Sequence, residues 1–162
     1  MDVTIKKMET EAEIKGKAFV HYQSWQEAYP GIVNQKYLDD LTLEKCERIA
    51  FRWTDNICVA KDGDRVIGFV GYGKYRDDEF ENAGEVFAIY VLAEYYGHGV
   101  GYRMMQTALS FLTAYRKIAV WVLKQNLRAI RFYERCGFRP DGREETLQLG
   151  LPVTEIRMIL ER

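Results

Sequence analysis

Three glycines at alternating positions, Gly97-His98-Gly99-Val100-Gly101, follow a strand-like run and open a helix-like one. Alternating glycines leave backbone N–H groups uncovered, and the helix that follows turns its positive end toward them. Such a turn can hold a phosphate without any charged side chain, and His98 stands within reach of one. The same glycines would also suit a tight loop with no ligand. The spacing lacks the last interval of the GxGxxG dinucleotide fingerprint, and no Lys-Ser or Lys-Thr pair follows to make a Walker loop.

A second patterned segment begins 25 residues after Gly101, from Asn126-Leu127-Arg128-Ala129 through Ile130-Arg131-Phe132-Tyr133 to Gly137-Phe138. Asn126 suits a helix N-cap, Ala129 and Phe132 suit packing, and Tyr133 suits either a core position or chemistry. Taken together, the two segments resemble the GNAT superfamily of N-acyltransferases. That family carries a strand, an (R/Q)xxGx(G/A) loop and a helix, then an N-x-x-A-x-x-F-Y-x-x-x-G-F helix. The second pattern is matched at every named position. The first departs at Tyr96, where the family usually has Arg or Gln; that puts a side-chain phosphate contact in doubt more than the backbone contacts.

The resemblance implies acetyl-CoA as co-substrate and no metal. It implies cofactor contacts from the loop Tyr96, Gly97, His98, Gly99, Val100, Gly101 and Tyr102, and from Asn126. It implies that the pantetheine arm pairs like an added strand with Ile89, Tyr90 and Val91. A backbone N–H at the bend near Tyr90-Val91 would hold the oxyanion formed when an amine attacks the thioester. Tyr133 would give its proton to the leaving thiolate. Glu85 is the candidate base, direct or through water, beside its alternative reading as an exposed carboxylate at a strand start.

The elements that must position these groups can be read from periodicity. Val3–Lys6 alternates as a first strand. Thr10 with Glu13 forms a capping box for a helix to about Tyr29, stopped by Pro30-Gly31. Asn34 and Thr42 start two more helical stretches. Residues 57–60, 65–75 and 85–91 read as strands, the first two joined at Asp62-Gly63. Glycines 68, 71 and 73 signal a bulge or a close backbone approach. On strict alternation, Phe87, Ile89 and Val91 share a face with Glu85. A helix over 100–115, a buried strand over 118–123, a helix over 126–136 and strands over 143–149 and 153–160 complete the chain. This order predicts an α/β (α+β) domain spanning 1–162, its mixed sheet mostly antiparallel. The resemblance adds six to seven strands, about four helices, and parallel strands 85–91 and 118–123 splayed apart.

Nearly half the residues are apolar and the formal net charge is −1. That balance offers nothing to attract nucleic acid or an anionic membrane. Cys46, Cys58 and Cys136 match no metal spacing and read as free thiols of a reducing cytoplasm. The acceptor is less legible. Aromatics at 21, 22, 25, 29 and 37, with Trp25 and Tyr29 foremost, read as a wall for a small amine or as plain core. Acids at 77–81 would attract a cation or merely solvate a loop. A small-molecule primary amine is the expected acceptor, with a protein or peptide amine and a non-catalytic acyl-CoA sensor as alternatives. The resemblance is compatible with a homodimer.

Overall fold

The computed structural model describes residues 1–162. The chain runs β1 (Val3–Lys7), α1 (Glu11–Ala28), α2 (Gln35–Asp40), α3 (Leu43–Arg52), β2 (Ile57–Asp62), β3 (Arg65–Lys74) and β4 (Ala83–Val91). It continues through α4 (Val100–Ser110), β5 (Lys117–Leu123), α5 (Leu127–Arg135), β6 (Arg139–Leu149) and β7 (Leu151–Glu161). All seven strands join one sheet, ordered β1-β2-β3-β4-β5-β7-β6. Every neighbour is antiparallel except β4 and β5. Five α-helices flank the sheet, one more than expected. No helix is long and apolar enough to cross a membrane.

The caps fall where the sequence places them. Thr10, Asn34 and Thr42 each accept a backbone N–H from the first turn of the helix they open. Glu13 completes the box at α1 and does more. Its carboxylate accepts from the N–H groups of Glu9 and Thr10 and from Nζ of Lys6 and Lys61. One side chain thus ties α1 to β1 and β2. Burial opposes its charge, but the Lys6 bond and the two N–H groups hold the Glu13 carboxyl well below the usual range.

Helix α1 and helix α4 cover opposite faces of the sheet. Lys17 of α1 lies over the Phe69 ring, while a Cβ at neighbouring Gly68 would meet Met104 of α4 at 3.1 Å and the Tyr90 carbonyl at 2.9 Å. That is the close approach the β3 glycines signal. Beside it, β3 also carries a bulge, with Ile67 unpaired between Val66 and Gly68.

Two expectations need correction. Helix α4 stops at Ser110, not Tyr115. The chain turns through Phe111–Tyr115 by i→i−3 bonds, and Arg162 donates to the carbonyls of Leu109, Leu112 and Tyr115. The faces of β4 also differ from strict alternation. Tyr72 pairs with Val86 and Gly71 with Ala88, so Phe87 is an extra residue. Such a bulge reverses the side-chain parity beyond it. Glu85, Ala88 and Tyr90 therefore share the face toward α1, and Val86, Ile89 and Val91 the face toward α4. Phe87 itself is half exposed.

Candidate active site

Strands β4 and β5 pair only over Ala83–Glu85 and Lys117–Ala119. Past Glu85 they part. The N–H of Leu92 bonds the Ile67 carbonyl of β3. In an antiparallel ladder, alternate residues turn their polar groups to the same neighbour. Tyr90 thus faces β3, and Ile89 and Val91 direct their N–H and C=O groups into the gap. An oxyanion donor at this bend is therefore to be sought at Val91 rather than Tyr90.

The gap belongs to a cavity of about 820 Å³ that passes from the α4 face to the α1 face of the sheet. At one end stands the glycine turn. Gly97 and Gly99 have φ of 80° and 77°, the left-handed region that an L side chain enters only at a cost. Gly101 is small for another reason, since a Cβ there would press on the Phe132 ring at 3.2 Å. No N–H from Gly97 to Tyr102 has an acceptor within the protein; the first bond of the turn is Arg103 N–H to Gly99. A run of unclaimed donors at a helix N-terminus fits an anion. His98 is exposed and lies off the cavity wall. Tyr96 does not stand alone: the Arg128 guanidinium stacks on its ring, 3.3 Å from the centroid. Arg128 of α5 thus sets a cation beside Tyr96 on the cavity wall.

Midway, Tyr133 projects from α5. Asn126 caps that helix, its Oδ1 accepting from Ala129 N–H at 3.3 Å. Gly137, with φ 101°, ends it and lets Phe138 turn into the core, edge-on to Tyr133. Burial pushes the Tyr133 hydroxyl well above its ordinary range, and Tyr90 nearby adds to the shift. Tyr90 and Tyr29 share a hydrogen bond of 3.0 Å.

At the α1 end the wall is aromatic. Trp25 meets Tyr29 edge-on at 4.9 Å and stacks with Tyr37 at 6.5 Å. His21 joins this group, edge-on to Trp25 at 5.7 Å. Burial lowers its pKa to about 4, so the imidazole is neutral at pH 7. Tyr22, expected with them, packs instead beside Ala18, Cys46 and Ala50. The acids at 77–81 do not line the cavity; Glu79 is tied to Arg157.

Glu85 is fully buried and lies outside the cavity wall. Arg76 donates to both its oxygens, which leaves Glu85 placed to hold Arg76 rather than to reach a substrate directly. Sequence reasoning missed three residues that do line this end: Arg76, Trp121 and Glu155. The available signal was the last strand, where Glu155 and Arg157 alternate with the apolar Ile156 and Met158. Both charged residues are buried, so that face of β7 is interior. No group of three or more His, Cys, Asp or Glu is placed to hold a metal.

A parted parallel pair, an anion-type turn and a buried tyrosine between them define an acyl-transfer architecture. The profile of the Acetyltransferase (GNAT) family matches residues 20–138, and the chain belongs to that family of N-acetyltransferases. It is 32% identical over 136 residues to an uncharacterized N-acetyltransferase, YuaI, of Bacillus subtilis (strain 168), covering 82% of this chain and 78% of that one. A spermine/spermidine N(1)-acetyltransferase of the same organism is 30% identical over 87 residues, 50% of this chain and 57% of that one. The fold matches a PaiA N-acetyltransferase from Thermoplasma acidophilum in complex with coenzyme A, with a TM-score of 0.77, 20% identity and 100% of both chains covered.

Proposed function

We propose that this protein transfers the acetyl group of acetyl-CoA to a primary amine of a small molecule, by direct attack in a ternary complex. The observation that carries the reading is one cavity with an anion-type turn at its outer end and an aromatic wall, Trp25 and Tyr29, at its inner end. Its volume lies within the range usual for small-ligand sites. The free N–H groups of Gly97–Tyr102 would receive the pyrophosphate, flanked by Arg128 on Tyr96. Ile89 and Val91 would pair with the amides of the pantetheine arm, which fits a gap that lacks a strand. That threading would bring the thioester to the bend, where the Val91 N–H meets the developing oxyanion.

Tyr133 would then protonate the departing thiolate. A phenol is protonated at neutral pH, as an acid must be. Trp25 and Tyr29 would bound the acceptor, and a wall of aromatics favours a compact cation. The similarity to a spermine/spermidine acetyltransferase supports an aliphatic amine.

The test is CoA release from acetyl-CoA across polyamines, amino sugars, amino acids and short peptides, with Tyr133→Phe alongside. Small aliphatic amines should turn over. The variant should lose about 100-fold in kcat, the lower bound usual for a general acid, with KM for acetyl-CoA little changed. Turnover of peptides alone would overturn the small-molecule reading. Acetyl-CoA failing to raise the melting temperature would overturn the cofactor.

A further inference from the structure

The inner end of the cavity holds a buried carboxylate that no donor in the protein hydrogen-bonds. Glu155 sits in β7, opposite Leu123 of β5 and Glu145 of β6. It is 7% exposed and lines the cavity together with Tyr133 and Trp121. Its Oε1 is buried with no hydrogen-bond donor. The nearest cation is Arg76, whose Nη1 stands 3.8 Å away, too far for a hydrogen bond. Arg76 is not free to close that distance, because its Nε and Nη2 and its backbone N–H are all committed to Glu85. The other carboxylate on the cavity wall, Glu27, is exposed and already accepts the Ala93 N–H at 3.0 Å.

The charges around Glu155 favour a cation. Arg76 is balanced by Glu85. Arg157, two residues along β7, is balanced by Asp141 and Glu79. Glu145 faces Glu155 across the β6–β7 pair, and Arg143 of β6 stands 3.9 Å from both Glu145 and Glu79, so three arginines here meet five carboxylates. What remains at this end is negative. Burial raises the proton affinity of Glu155, Arg76 opposes the rise, and Glu145 and Glu85 add to it.

We propose that Glu155 receives the ammonium group of the acceptor and takes its proton before attack, so that the acceptor class is an aliphatic alkylammonium ion. The inference rests on acetyl transfer to an amine. The protons balance as follows. The ammonium gives one proton to a Glu155 carboxylate oxygen and becomes the free amine. The nitrogen lone pair forms the C–N bond at the thioester carbonyl, and the C–S bond breaks. Tyr133 protonates the thiolate and regains a proton from the acylated nitrogen. Glu155 returns its proton to solvent, so the net release is one proton per turnover.

Wild type, Glu155→Gln and Glu155→Asp are compared from pH 5.5 to 9.5 with spermidine as the varied acceptor. In parallel, spermidine is titrated by calorimetry into each protein saturated with CoA. In wild type, kcat/KM for spermidine should fall as pH drops through the Glu155 pKa. Glu155→Gln should lose that acid limb and about 100-fold in kcat/KM, with KM for acetyl-CoA within twofold of wild type. Its spermidine affinity should fall about tenfold, and Glu155→Asp should recover part of both losses. A Gln variant within threefold of wild type and with the same acid limb overturns the proposal. So does spermidine affinity equal in wild type and Glu155→Gln, or no spermidine binding by wild type. If wild type binds acetyl-CoA yet acetylates no amine, acetyl transfer itself fails, while the calorimetric comparison still decides whether Glu155 holds an ammonium.

Discussion

Replacing Glu13 by Ala removes the joint between α1 and the first two strands. The Thr10 N–H loses its half of the capping box, which costs about 1 kcal/mol. The Glu9 N–H, left without its charged acceptor, adds about 1 kcal/mol. The bonds from Lys6 and Lys61 each add roughly 0.5 kcal/mol, discounted because Lys6 is about a third exposed and its charge is well solvated. The sum is about 3 kcal/mol, which for a chain of this size lowers the melting temperature by roughly 6–12 °C. Glu13→Gln keeps a carbonyl for the N–H groups and should lose only about 1–1.5 kcal/mol. The carboxyl is held below the ordinary glutamate value of about 4.5 in the folded state. Its stabilisation is therefore full above pH 4.5 and is lost as pH falls through the folded pKa. Urea melts of wild type and both variants at pH 7, 5, 4 and 3 should show the wild-type advantage constant to about pH 5 and shrinking below it. An Ala variant within about 0.5 kcal/mol of wild type at pH 7 would refute the reasoning, as would an advantage that grows in acid.

Gly99→Ala meets no neighbour with its new Cβ, so its whole effect is the cost of positive φ, about 1–2 kcal/mol. An empty loop would relax, and binding would have to restore the strained shape; KM for acetyl-CoA should rise about tenfold. Gly63→Ala, equally open at φ 60° in the β2–β3 turn, is the control: the same rise there would show that the effect is not local. Arg128→Ala removes an exposed cation stacked on Tyr96 and should raise KM for acetyl-CoA roughly fivefold at low salt, with little change in melting temperature. That difference should narrow between about 50 and 500 mM NaCl, and a difference indifferent to salt would exclude a charge effect.

Local signals were the most legible. Thr10, Asn34 and Thr42 announce their helices because a cap is a contract between residues three apart. The glycine turn and the α5 pattern were visible for the same reason. What the sequence hid depends on partners far along the chain. The bulge at Phe87 exists only in the pairing of β4 with β3, so alternation counted along β4 alone assigned Ile89 and Val91 to the wrong face. Glu85 looked like a base until Arg76, in the loop between β3 and β4, took both its oxygens. Glu155 drew no notice because nothing nearby in the sequence shows that β7 lies between β5 and β6, with Trp121 beside it on the cavity wall. Tyr96 looked like a loss until α5 brought Arg128 onto its ring.

A flat seven-stranded sheet has two borders, where β1 and β6 meet solvent. The parting of β4 from β5 gives this one a third, inside the sheet. An outer border is open to any passing strand and is a hazard of unwanted pairing. The inner one lies between two strands of the same sheet. A polypeptide strand carries side chains above and below its plane and needs the spacing of a full sheet layer to enter, whereas a thread of two amides on bare methylenes does not. The slit thus works as a sieve for backbone-like molecules that have no side chains. It also leaves the protein one strand short until such a molecule arrives, and the amides of Ile89 and Val91 should then be the ones whose exchange with solvent slows most.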